Sequence, residues 1–238
     1  IYFFFYCADD AVTIIYLDRH YIQSNTLPFT MQEELNQGAF IRNEEMIIKS
    51  GDETFITSIY DFALRGKHNQ YNTMAAGIAA LTLDLRKEKI REAIQSFTSL
   101  EHRMELVATV RGVEFINDSK ATNINSTWYA LESMTKPTIL ILGGIDKGND
   151  YSLIKDLVIE KVKAIVCLGV DNQNIHDAFD QSIERIVDTG GAAEAVSCAY
   201  LLAGKGDVVL LSPACASFDL FRNYEDRGRQ YKDAVMDL

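Results

Sequence analysis

Long apolar runs are missing from this sequence. The one candidate, the opening IYFFFYCA, stops at Asp9 and Asp10, whereas spanning a bilayer takes about 20 apolar residues. The run therefore reads as a buried strand, and no membrane partner is expected. Metal-ligand and disulfide spacings are missing as well. Cys7, Cys167, Cys198 and Cys215 sit among apolar or small residues with no CxxC, and the 4 histidines are scattered. That usage predicts reduced thiols, a cytoplasmic location and no metal site. Positive charge is scarce: 23 Lys and Arg face 34 Asp and Glu, a net charge of −11. A nucleic-acid partner is not expected from such a balance, though a local basic pocket for a small anion is compatible with it. Repeats and low-complexity tracts are absent. An initiator Met is absent too, and a start in mid-strand predicts a truncated chain.

What is present is a soluble composition, 47% apolar and 24% charged, enough for one large domain or two modest ones. IYFFFYC reads as a strand and Ala11 to Tyr21 as a short helix. Residues 39–42, 45–48 and 53–56 read as an antiparallel meander turning at Gly51-Asp52. Helices follow from Asn69 and from Lys87 to Phe97. After Phe97 the pattern changes, which places a boundary near residue 99. Strands at 105–109 and 113–116 lead into alternating units, with helices at 125–134, 151–161, 174–179 and 192–202. The strands between them lie at 138–142, 164–168, 185–187 and 207–211, and a last helix is expected to start near Phe218. Continuous apolar strands alternating with helices predict a doubly wound, mostly parallel sheet with right-handed crossovers.

Ligands of such sheets sit beyond the carboxyl ends of the strands. Three polar clusters fall at those ends: Asn117 to Asn123, within INDSKATN, Gly143 to Gly148, within LGGIDKG, and Ser212 to Asp219, at the start of SPACASFDLFRNYEDRG. In the first, Asp118 suits a ribose hydroxyl, Lys120 a phosphate or carboxylate, and Thr122 a carboxylate; a helix-start loop capped by Asn123 is the plainer reading. In the second, Lys147 follows glycines that let the backbone turn beside a ligand. In the third, Ser217 reads as a helix cap with Asp219 in the first turn, where free N–H groups can hold an anion. Thr122, Lys147 and Ser217 are expected to share one cavity. Upstream, His102-Arg103 offers a guanidinium for phosphate or an inter-domain ion pair. Asn69 and Asn72 lie three apart at a helix start, able to read an adenine edge or to cap.

These segments, with LRGKHNQYNTMAA and HRMELV, resemble the Mur amide ligases of peptidoglycan precursor synthesis, in particular their D-glutamate-adding branch. The resemblance covers most of the chain from residue 64 on. It implies that residues 1–99 are the later part of a mixed α/β central ATPase domain, and that residues 100–238 are a Rossmann-like C-terminal domain. It implies an activity in which ATP and Mg2+ turn the carboxylate of UDP-MurNAc-L-alanine into an acyl phosphate. The amine of D-glutamate then attacks.

By the same resemblance, Lys120 and His102 are catalytic, and Asn69, Asn72, Arg103 and Asp118 bind nucleotide. Thr122, Lys147, Ser217, Phe218 and Tyr224 bind D-glutamate, Tyr224 standing where related enzymes carry Phe. IDK at 145–147 departs from a DGK-like pattern. No GxxxxGK[ST] phosphate loop occurs in the 238 residues. The Mg2+ ligands are expected upstream, and the chain alone is expected to be inactive and monomeric. A sister ligase using another amino acid or a folate-type chain, or a non-catalytic binding module, are the alternatives.

Overall fold

The computed structural model describes residues 2–64, 66–97 and 100–238. Arg65, within LRGKHNQYNTMAA, and Ser99, at the expected boundary, lie outside the described residues. The chain divides into two compact units, residues 1–98 and 99–238. No helix among the described residues is long and apolar enough to cross a membrane.

The first unit runs β1 (Phe3–Cys7), α1 (Ala11–Arg19), β2 (Asn25–Thr30), β3 (Gly38–Arg42), β4 (Glu45–Ser50), β5 (Glu53–Ser58), α2 (Lys67–Thr82) and α3 (Lys87–Ser96). Its sheet follows sequence order, parallel from β1 to β3 and antiparallel from β3 to β5. β2 is a strand that the sequence pattern does not signal. Pro28 lies within it and has no N–H for a ladder; it is aligned with Tyr6 of β1, and the pairing with β3 begins only after it, at Phe29 and Thr30. α2 lays Met74, Gly77, Ile78 and Leu81 on the sheet, the spacing of one helix face. They meet Met46, Ile48 and Phe55, large side chains that each stabilise the unit by about 1.5–3 kcal/mol when buried. Glycine at 77 permits this approach, since a Cβ there would lie 2.4 Å from Ile48 Cδ1.

The second unit runs β6 (Glu105–Val110), β7 (Val113–Asn117), α4 (Ile124–Glu132), β8 (Thr138–Gly143), α5 (Ser152–Lys161), β9 (Val162–Leu168), α6 (Gln173–Phe179), β10 (Ile186–Thr189), α7 (Ala192–Leu202), β11 (Val208–Ala214) and α8 (Tyr224–Met236). The sheet order is β10-β9-β8-β11-β7-β6, with β6 antiparallel at one edge and the rest parallel. This is the doubly wound, Rossmann-like arrangement. Alternation along β8 serves both faces: Leu140 and Leu142 pack with residues of α4, α5 and α6, while Ile139 and Ile141 pack with residues of α7 and α8. The chain steps outward from β8 to β10, then returns to insert β11 between β8 and β7. Such a reversal is where open sheets form a ligand crevice.

Two features differ from the sequence reading. β11 does not end at Leu211 but continues through Ser212, Pro213 and Ala214, with a register shift that accommodates the proline. The last helix does not start near Phe218. Asn223 caps it by accepting from the Asp226 N–H at 2.7 Å, and it begins at Tyr224. Ser217 is therefore no helix cap. It is 1% exposed, and its carbonyl accepts from the Phe221 N–H in a turn before the helix. A sequence window of Ser, Phe and Asp suits either turn or helix start, and burial of the Ser217 side chain decides for the turn.

Candidate functional site

Parallel strands bring the three loops after β7, β8 and β11 to one rim of the second unit, on adjacent strands. The antiparallel β6 brings its lead-in, residues 100–104, to the same rim. Backbone bonds stitch the loops together. Ile145 N–H donates to Ala216 O at 2.8 Å, Asp118 N–H to Leu211 O at 2.8 Å, and Lys120 N–H to His102 O at 3.1 Å. Asn123 caps α4 by accepting from Ser126 N–H, so the plainer reading of that residue holds beside whatever its neighbours do.

At the β6–β7 end lies a cavity of about 380 Å³, lined by Leu100, Glu101, His102, Arg103, Lys120, Tyr224 and Glu225. Four of the residues singled out from the sequence meet here. Lys120 holds its Nζ 3.9 Å from the centre of the Tyr224 ring, a cation–π contact. Arg103 is exposed. His102 is 2% exposed, has a φ of +67° and takes a hydrogen bond on Nδ1 from the Asn117 amide at 2.9 Å. Its Nε2 has no hydrogen-bond partner. Burial holds the imidazole below its ordinary pKa, against the pull of Glu101 and Glu105. A glycine at 228 makes room for the ring, because a Cβ there would lie 2.3 Å from Nδ1.

Asp118 sits buried beside this cavity rather than in its lining. Its Oδ2 accepts from the Ser212 hydroxyl at 2.9 Å and its Oδ1 from Met104 N–H at 3.3 Å. Burial pushes its pKa up to about 7, opposed by those two donors and by the charge of Arg103. Tying the rim together is Arg227, fully buried. Its guanidinium donates to Ser119 Oγ at 3.0 Å, to Ser119 O at 2.9 Å and to Cys215 O at 3.2 Å. Burial lowers its pKa to about 10, so it remains a cation. Sequence reasoning singled out the segments that hold Arg227, Ser212, Asn117 and Gly228 but gave these four no role. Their signal is weak, since the contacts that define them join residues far apart in the chain.

The other residues are placed differently. Thr122 is half-buried, its N–H donating to Lys120 O at 2.9 Å. Lys147 is exposed, Phe218 is 66% exposed and Ser217 is buried. Thr122, Lys147 and Ser217 occupy the three adjacent loops, yet none lines the cavity beside His102. Neither do they line the two further rim cavities, one around Asp146, Asp171 and Asp219 and one around Asn172, His176 and Asp188. Asn69 and Asn72 belong to the first turns of α2 in the first unit; Asn69 O accepts from the Thr73 hydroxyl at 2.7 Å.

The rim cavity of this doubly wound domain sets Lys120 and Arg103 beside Glu101 and Glu225, and sequence comparison supplies relatives for the domain. Residues 102–215 match the family described as Mur ligase, glutamate ligase domain. It is 50% identical over 99% of its length to the UDP-N-acetylmuramoylalanine–D-glutamate ligase of Christiangramia forsetii, covering 53% of that protein. The ligase of the same name from Porphyromonas gingivalis matches equally, at 50% identity with 53% covered. The chain thus spans about half the length of the curated relatives it matches. Among solved structures, MurF from Acinetobacter baumannii superposes with a TM-score of 0.67 at 15% identity, over 99% of this chain and 51% of that one. A pseudomurein peptide ligase type C from Methanothermus fervidus gives 0.67 at 14%, over 98% and 56%. At such identities these structures bear on the fold alone.

Proposed function

We propose that this chain is the amino-acid-binding part of an ATP-dependent ligase that joins D-glutamate to UDP-MurNAc-L-alanine. The observation that carries the reading is the relatedness, at 50% identity along 99% of the chain, to ligases of that name. Residues 1–99 would then be the later part of the central ATPase domain and residues 100–238 the C-terminal domain. In the reaction, the substrate carboxylate attacks the terminal phosphate of ATP. ADP leaves, and an acyl phosphate forms. The D-glutamate amine attacks its carbonyl carbon, and phosphate departs as the amide forms.

The chemistry of the rim supports these roles. Lys120 and Arg103 are cations beside a cavity, the kind of group that holds phosphate or carboxylate oxygens. His102 has Nδ1 occupied by Asn117, and its buried Nε2 lies 3.8 Å from Glu101 Oε2. Asp118 keeps lone pairs for a ribose hydroxyl. Arg227 acts through Ser119 and Cys215 and positions the loops that carry Lys120 and Ser217. Thr122, Lys147, Phe218 and Tyr224 would meet D-glutamate, and Asn69 and Asn72 the adenine. Lys120 and Arg103 suit anionic oxygens, and we place the Mg2+ ligands outside these residues. Positioning, with water excluded from the amine, is the main contribution expected of the protein.

The test is amino-acid-dependent phosphate release from ATP by the full-length gene product supplied with UDP-MurNAc-L-alanine. Release that requires D-glutamate is expected. Release driven by a different amino acid, or by none, would overturn the assignment. The 238-residue chain alone, which has no GxxxxGK[ST] loop, is expected to release no phosphate.

A further inference from the structure

At the opposite end of the rim, three side chains distant in sequence come together. Cys167 on β9 and Asp188 on β10 are direct partners in the parallel ladder, and His176 on α6 packs over them. His176 Nε2 is 3.2 Å from both Oδ1 and Oδ2 of Asp188. The Cys167 Sγ, the His176 nitrogen and the Asp188 oxygen all lie within 4.8 Å of one another, the one such group of three among the described residues. We propose that Cys167, His176 and Asp188 form a binding site for a Zn2+-class divalent ion, a clamp between α6 and the β9–β10 edge. The scattered cysteines and histidines gave no hint of it, because only the parallel pairing of β9 with β10 brings the thiol to the carboxylate.

Three features favour an ion over a plain ion pair. First, the ligand types match: thiolate, imidazole and carboxylate together suit a cation of borderline softness. Bonds of about 2.0–2.3 Å to a tetrahedral ion space its ligands roughly 3.5 Å apart, close to the existing His176–Asp188 separation and a short approach from the sulfur. Second, both polar ligands are already oriented by neighbours. Asp180 Oδ1 lies 3.0 Å from His176 Nδ1, and the Asn172 amide donates to Asp188 Oδ1 at 2.9 Å. A carboxylate on the far ring nitrogen is the usual support of a metal-bound histidine. Third, a cavity of about 490 Å³ lined by Asn172, His176 and Asp188 opens beside the group. It gives an ion a path of entry and leaves a fourth position for water. Asn172 is itself nine-tenths buried on that wall, and its Oδ1 has no partner.

Cobalt(II) is the probe, added to the purified 238-residue chain and followed by absorption, with Zn2+ as competitor. One equivalent should produce a thiolate-to-cobalt charge-transfer band and the strong visible bands of a tetrahedral ion, both lost when Zn2+ is added. Cys167→Ser should abolish the charge-transfer band, whereas Cys198→Ser should keep it. Asp180→Asn, which leaves every ligand in place, should weaken binding by about 10- to 100-fold. Because Cys167 is buried, His176→Gln and Asp188→Asn serve as further variants on exposed or half-exposed side chains; each should weaken binding at least tenfold. Absence of a cysteine-dependent band in the wild-type chain, or a band that survives in Cys167→Ser or needs Cys198, would overturn the site and leave His176 as an ion-paired side chain.

Discussion

The two ends of the rim occupy equivalent places in the sheet but are built by different physics. At the β6–β7 end the polar groups are interior: His102, Asn117, Asp118, Ser119, Ser212 and Arg227 are all buried and bonded largely to one another. At the β8–β10 end the organising groups are carboxylates closer to solvent. Asp146 accepts from the Gly148 and Asn149 N–H groups at 2.8 Å each and from the Asn174 amide at 3.0 Å, and Asp219 accepts from Val170 N–H at 3.1 Å. The first end lines its cavity with Lys120 and Arg103 beside Glu101 and Glu225, whereas the cavities of the second hold acids and no Lys or Arg. A buried polar network is costly to break, because each orphaned group loses both water and partner. A solvent-facing turn loses only a bond that water can replace.

That contrast is tested first by Arg227→Ala. Ser119 O, Ser119 Oγ and Cys215 O would lose a buried donor together, and the chain should lose about 4 kcal/mol or more in urea unfolding. A loss below about 1 kcal/mol would break the distinction between the two ends. Asp118 comes next. Its pKa is raised in the folded state from 3.8 to about 7, so its protonated form favours the fold. The stability it contributes is complete below about pH 4 and is lost as pH rises toward and through about 7, on the order of 4 kcal/mol in all. Unfolding of the wild-type chain and of Asp118→Asn at several pH values should show the variant losing less over that window; parallel curves would contradict the burial of this carboxyl.

Gly228→Ala should cost about 2 kcal/mol, since the new methyl meets the His102 ring. Its effect should shrink when His102 is first replaced by Ala, which a double-mutant cycle would read. The smallest effect belongs to the acidic end. Burial works against the Asp146 carboxylate, yet the donors on Asn149, Asn174 and Gly148 hold its pKa below the ordinary value. Asp146→Ala should therefore cost only about 1 kcal/mol, and a loss matching that of Arg227→Ala would erase the contrast.

Much of the architecture was legible along the chain. The alternating apolar strands and amphipathic helices of residues 105–202, the meander at 38–58 and the α2 face all rest on neighbours within a few residues, where periodicity and turn chemistry act. The strand around Pro28 went unsignalled, and β11 was ended at Leu211, before Pro213. A missing N–H argues against a strand unless edge or bulge geometry excuses it, and only the pairing partners reveal that geometry. The start of α8 was misplaced because Ser217 and Asn223 are both competent caps, and the buried turn between them decides.

Taken by itself, the sequence determined which residues could carry chemistry: Lys120, Arg103, His102 and Asp118 are named by type and by position at strand ends. Tertiary structure alone decided how they are held and what surrounds them. Arg227 reaches Ser119 across 108 residues of chain, and Cys167 meets Asp188 only through the ladder of β9 and β10. Burial and the electrostatics that follow from it are properties of a three-dimensional surround, and no local window of sequence contains them.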